Sequence, residues 1–262
     1  MALFTDGPIN TLRDLERYES ALLTETSVEQ INVNAKMALA QDLIASELLI
    51  FLIKHSTRDA NTLFADGALI RRKTGLHDVV ITAPLQRWHA FKTIELTYQE
   101  AYNNQLNDRY RGRYLQYQQR AIEAARQLYQ IGVGLVWQPI PKPMTPLLLS
   151  ITGNALSTDY YVRTTWANSA GQESAPSELV ALQIPDGAQL VVEQPGMAAN
   201  TAGWNVYVGS TPEEVTLQND IPVPAGSTWQ LASGSDLRLG RPLGPGQWAD
   251  RFIVDQQSML RG

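Results

Sequence analysis

The hydrophobic period of this chain changes from about 3.6 residues to two across a cluster of four prolines, Pro139, Pro141, Pro143 and Pro146. No single layer of secondary structure accommodates both periods, so the change divides the molecule. Before the cluster, Tyr110, Tyr114, Tyr117, Ala121, Ala124 and Leu128 recur at three- and four-residue steps and fall along one side of a helix. After it, Leu147 to Ile151, Tyr160 to Trp166, Leu179 to Ile184, Gln189 to Glu193 and Trp204 to Val208 read as short strands, each bounded by Gly, Pro, Asn or Ser.

The expectation is an α+β protein of two domains. Residues 1–138 form an α-helical bundle with long helices, and 139–146 form a stiff proline-rich linker. Residues 147–235 form a β-sandwich of immunoglobulin or fibronectin type III kind, because several short strands at this spacing build that architecture. Residues 236–262 form an extended Gly- and Pro-rich tail carrying Trp248 and Phe252.

Within the first domain, a short helix is expected over 11–22, capped by Asn10 or Thr11. Ser27-Val28-Glu29-Gln30 has the capping-box pattern and predicts that a second helix starts there and runs to about Lys54. The last two turns of that helix are apolar nearly all round, which requires cover on several sides, from its own bundle or from another subunit. Residues 55–83 read as a long excursion with a basic triplet, Arg71-Arg72-Lys73, and a brief strand at Val79-Val80-Ile81. Thr82-Ala83-Pro84 predicts a helix start, with Trp88, Phe91, Ile94 or Glu95, Tyr98 and Tyr102 along one side. A break near Asn103, Asn104 and Asn107 separates it from the tyrosine-bearing helix, which Gly132 and Gly134 end.

Charge follows the same division. Residues 1–138 hold 15 Lys and Arg against 15 Asp and Glu, whereas 139–262 hold 6 against 11. An acidic balance argues against a tight grip on nucleic acid, which needs clustered cations; solvated surface carboxylates account for it, and a surface along which DNA slides is the alternative. The absence of cysteine removes disulfides and thiolate metal sites. The most apolar run, Leu43 to Ile53, contains Ser46 and Glu47 and is too short for a bilayer, so no membrane association is expected.

Catalytic patterns are missing. His55, His77 and His89 are the only histidines, and none has metal-ligand spacing. Gly132-Val133-Gly134 follows a helix and reads as its C-cap rather than as part of a nucleotide loop. His77-Asp78 are adjacent and so poorly placed for a triad, and His89 reads as a helix residue that hydrogen-bonds locally. Neither an enzymatic role nor a cofactor is expected.

Trp88-His89, Tyr98-Gln99-Glu100-Ala101-Tyr102, Gln105-Leu106-Asn107-Asp108-Arg109-Tyr110, Tyr117 and Gln130-Ile131-Gly132-Val133-Gly134-Leu135 together resemble the helical core of head-to-tail adaptor, or connector, proteins of tailed bacteriophages. Tyr160-Tyr161-Val162-Arg163, the run from Asn168 to Ser177, and Gly203-Trp204-Asn205-Val206-Tyr207-Val208-Gly209 resemble fibronectin-like domains appended to phage structural proteins.

The resemblance implies a homo-oligomeric ring, typically of twelve copies, beneath the portal protein. Such a ring extends the channel for double-stranded DNA, which passes without specific binding, and docks the next neck or tail protein. It also implies a place in the virion neck, with assembly in the host cytoplasm. The residues expected at contacts are Leu48, Phe51, Tyr110, Tyr114, Tyr117, Gly132, Val133, Gly134, Trp137, Trp248 and Phe252. The segment from Gly132 to Pro143, or the tail from Gly240 onward, is expected to order on meeting the portal or a neighbouring copy. The alternative is a tail or surface protein whose sandwich binds host glycan.

Overall fold

The computed structural model describes residues 1–56, 74–105, 108–232 and 237–255. It is an α+β fold in two parts, a helical region with long helices followed by a β region of antiparallel sheets. The chain separates into two compact units, and each contains two pieces of sequence. Gly7–Leu135 and Ala249–Gly262 make the helical unit, whereas Met1–Asp6 and Val136–Trp248 make the β unit. The span expected as one tail over 236–262 is therefore shared between the units, and its last seven residues lie outside the described ones.

The helical unit contains α1 (Leu12–Glu16), α2 (Leu22–Val28), α3 (Val33–Ser56), a 3-10 turn over Leu76–Asp78, α4 (Ala83–Gln105) and α5 (Asp108–Ile131). Thr11 caps α1 in a reciprocal box with Asp14. The long helix does not start at Ser27. Ser27 and Val28 finish α2, Gln30 adopts φ +55°, and the amide of Ile31 closes onto the oxygen of Thr26 at 2.9 Å. Asn32 instead caps α3, its Oδ1 accepting from the amide of Ala35 at 3.1 Å. Burial of Leu22 below and Ile31 above the bend overrides the local capping-box pattern. The excursion retains its described ends only, because 57–73, including Arg71-Arg72-Lys73, lie outside the described residues.

Helix α4 packs against both α3 and α5, and it is buried on more than one side. Trp88, Ile94 and Tyr98 are inside as expected, but so are His89, Thr93 and Thr97. The two threonines satisfy their hydroxyls on the preceding turn, Thr93 on His89 O at 2.8 Å and Thr97 on Thr93 O at 2.9 Å. Helix α5 buries Tyr110, Tyr117, Ala121, Ala124 and Leu128 on a single stripe.

Beyond α5, Gly132 at φ +113° donates its amide to Leu128 O and turns the chain into strand β1 (Val133–Leu135). Strand β1 pairs antiparallel with β9 (Arg251–Ile253), Gly134 lying opposite Phe252. Val80 adds its amide to Gly134 O at 3.0 Å, so the expected short strand near 79–81 is realised as a bridge.

In the β unit, two antiparallel sheets share one core. One has the order β2 (Leu147–Ala155), β5 (Ala188–Glu193), β8 (Thr228–Gln230). The other has β4 (Val180–Ile184), β3 (Thr158–Ala167), β6 (Gly203–Gly209), β7 (Thr216–Leu217). Leu190 and Val192 from the first sheet meet Val162, Trp166, Trp204, Val206 and Val208 from the second. Trp166 and Trp204 are directly opposite in the β3–β6 register. Strand β6 is buried at every position, because its other face covers a carboxylate. Glu173 accepts from Tyr207 Oη at 2.7 Å and Thr165 Oγ1 at 3.0 Å, and also from Asn205 and Arg241. The turn expected at Asn168 is an Asx turn, its Oδ1 accepting from the amides of Ala170 and Gln172.

The stretch from Gly132 to Pro143, expected to gain structure only on contact, is already held. Residues 133–135 are paired as β1, Ile140 is fully buried with its amide on Gln247 Oε1 at 2.7 Å, and Lys142 N donates to Asp6 Oδ1 at 3.0 Å. Between Pro139 and Pro143 the alternating prolines leave the amides of Ile140 and Lys142 as the main-chain donors, and both find acceptors.

Candidate assembly interface

Helix α3 carries two apolar faces. The inward one is Val33, Met37, Ala40, Ile44, Leu48, Leu52 and His55, with Phe51 beside it. The outward one is Leu39, Leu43, Ile50 and Ile53, where Ile50 is 68% and Ile53 54% exposed. With Ser46, these outward positions follow steps of four, three, four and three residues, so they form one stripe. Between Lys36 and Lys54 the only charged residues of the helix are Asp42 and Glu47, one on each shoulder of the stripe. The carboxyl of Glu47 is pushed up, first by partial burial, against the pull of Lys92.

Of the expected contact residues, Leu48 and Phe51 belong to the inward face. Leu48 is fully buried, and the Phe51 ring lies 4.7 Å from that of Tyr129. Both face the interior, whereas the exposed side of the same helix is formed by Leu39, Leu43, Ile50 and Ile53. Nothing in the run Leu48-Leu49-Ile50-Phe51-Leu52-Ile53 distinguishes one side from the other, because every residue is apolar.

Tyr110, Tyr114 and Tyr117 lie at the junction of α5 with α4 and α2. Tyr98 stacks with Tyr110 and Tyr117 at centroid distances of 6.3 and 5.9 Å. Their hydroxyls end on carboxylates: Tyr98 on Glu25 at 2.7 Å, Tyr110 on Glu29 at 2.8 Å, Tyr117 on Glu19 at 3.1 Å. Arg113 neutralises this row, 2.7 Å from Glu19 and donating to Tyr98 Oη at 3.0 Å, and Arg109 pairs with Glu25. Burial, then the Glu19 charge, pushes the Tyr117 phenol up to about 12, and burial and Glu25 raise Tyr98 as well. The row is an internal seam that locks α2 onto the α4–α5 pair. Tyr114 is half-buried and accepts from Gln118 at 3.1 Å.

Gly132, Val133 and Gly134 are all buried, and Trp137 is half-buried. Trp248 and Phe252 are outward, 65% and 52% exposed. The expected set is thus not one surface. It comprises two inward residues of α3, an internal aromatic seam, a strand junction, the half-buried Trp137, and the exposed rings of Trp248 in the β unit and Phe252 in the helical unit.

His89 is held by distant partners rather than locally. Its ring nitrogens lie 3.0 Å from Asn10 Nδ2 and 3.0 Å from Met37 O. His77 and Asp78 are 3.4 Å apart, but Asp78 also accepts from the amide of Gly75 and closes the turn that precedes Val79. Among the described residues, no group of three His, Asp or Glu side chains is placed to hold a metal ion, and no helix is long and apolar enough to cross a membrane.

Comparison with family models, with curated proteins and with solved structures returns no match.

Proposed function

We propose that this chain is a structural adaptor of a tailed-bacteriophage neck, forming a ring beneath the portal that extends the DNA channel and receives the next neck or tail protein. The observation that carries the proposal is the outward stripe Leu39, Leu43, Ile50 and Ile53 on α3. A helix that has already buried one complete apolar face gains nothing as a monomer from a second, and apolar stripes of this kind mark protein interfaces. The local sequence patterns of the adaptor core and the long helices support the same reading, and the charge of residues 1–138, 15 cations against 15 carboxylates, suits a wall that passes DNA without retaining it. In this role the chain works by geometry and has no reaction to catalyse. Assembly takes place in the host cytoplasm, and the finished ring resides in the virion.

Binding of host glycan by the sandwich is the weaker reading. Clusters of exposed rings on the sandwich loops would favour such binding, whereas Trp166, Trp204 and Tyr207 of its strands are all buried.

The test is imaging of intact virions together with reconstitution of the purified chain on its cognate portal. The proposal expects density below the portal that accommodates repeated copies of this fold and a fixed stoichiometry with the portal. A neck with no such density, or a portal that never binds the chain, overturns it.

A further inference from the structure

Resting on the ring reading above, the structure assigns the occupant of the α3 stripe: it is the exposed face of α5 on the next copy. Helix α5 carries a second outward stripe. Arg111, Leu115, Gln119, Ile122 and Arg126 follow steps of four, four, three and four residues, and all five are exposed. Leu115 and Ile122 are each about half exposed.

Three features match this stripe to the one on α3. First, the lengths agree: Leu39 to Ile53 and Arg111 to Arg126 each span roughly 21 to 23 Å at the rise of an α-helix. Second, the balance of charge is opposite. The middle of α3 offers only Asp42 and Glu47, whereas from Arg111 to Arg126 helix α5 carries four arginines against one carboxylate, Glu123, which accepts from Gln119 of its own helix. Arg109 and Arg113 are engaged with Glu25 and Glu19, and Arg120 lies over the rings of Phe91 and Tyr117. Arg111 and Arg126 are left at the two ends of the apolar stripe. Third, the two stripes are different surfaces of one chain. Their pairing is heterologous, the kind of contact that generates rings when the rotation closes, whereas a stripe that met its own copy would stop at a dimer.

The pairing is tested on the purified full-length chain by sedimentation velocity and light scattering, with two charge-reversed variants, D42R/E47R on α3 and R111E/R126E on α5. Circular dichroism checks that each remains folded. Each variant alone brings like charges together at every contact and is expected to associate at least about tenfold more weakly than the parent. Mixing them in equal amounts restores association with one-to-one composition, because in an alternating assembly every α3–α5 contact again joins opposite charges. As a second measure, Leu43→Glu with Ile50→Glu leaves the fold intact and abolishes association, with no rescue by either charge variant.

If R111E/R126E associates like the parent, or the mixture fails to recover, the α5 assignment is wrong while the ring reading stands or falls on the virion images. A parent chain that stays monomeric at every concentration also sinks the α5 assignment, and reconstitution on the portal then decides the ring separately.

Discussion

His89 donates its Nε2 proton to the main-chain oxygen of Met37 and accepts at Nδ1 from the side-chain amide of Asn10, each across 3.0 Å. The main-chain oxygen can only accept, so it fixes the tautomer, and the second ring nitrogen is then the acceptor for the amide. The ring thus ties the segment before α1, the start of α3 and the middle of α4 into one buried node. It does so as neutral imidazole, since burial pushes its pKa down to about 4.

That depression predicts a pH-dependent stability. Above the ordinary histidine value of about 6.5 the contribution is fully present. As pH falls toward 4 the unfolded chain takes up a proton that the folded chain refuses, and stability declines by up to roughly 3 kcal/mol. Urea unfolding at pH 7.5 and pH 4.5, followed by helix signal, should show this loss. In His89→Gln, which cannot titrate, the histidine part of the difference should vanish.

Tyr98 and Tyr114 differ in what their hydroxyls do. Tyr98→Phe removes a buried hydroxyl that donates to Glu25 and accepts from Arg113, two charge-assisted bonds, and is expected to cost about 1 to 3 kcal/mol. Tyr114→Phe loses a half-exposed bond to Gln118 and should stay within about 0.5 kcal/mol of the parent. Thermal unfolding of the two variants side by side separates the seam from the rim.

Gly132 is the position where the helical unit takes back its C-terminal strand. A Cβ there would lie 2.9 Å from Phe252 Cβ and 3.2 Å from Ile253 O, at a φ of +113° that side chains disfavour. Gly132→Ala is expected to cost about 1 to 3 kcal/mol. It should also raise amide hydrogen exchange at residues 251–253 more than in α4.

Trp204 fills the centre of the sandwich, fully buried with Nε1 on Pro224 O at 3.2 Å. Trp204→Ala should destabilise the β unit by about 3 to 5 kcal/mol through the cavity it opens. The near-ultraviolet signal should report that loss of packing.

What the sequence made legible depended on how far apart the interacting residues lie. The α5 stripe, the start of α4 beside Pro84, the Gly132 turn and the five longer strands could be read because their signals repeat within a few residues. The Ser27 capping pattern misled because a tertiary contact, Leu22 and Ile31 both going inside, decided where the helix broke. Thr93 and Thr97 were invisible as core residues because their hydroxyls are satisfied by their own helix. Strands β1 and β9 are three residues each and pair across more than a hundred positions, so no period announces them. Which side of α3 faces out was equally illegible, since its last turns are apolar in every direction.

The path of the backbone has a consequence for synthesis. The helical unit is left at Leu135 and rejoined at Ala249, so Val133 cannot meet Ile253 until the sandwich has been made. During translation the nascent helices must therefore wait, with one strand of their final pair missing, while an entire second folding unit emerges from the ribosome. If β9 is what sets the helices in their final positions, the helical unit reaches its finished form only once Arg251–Ile253 have left the ribosome, long after α5 has been made.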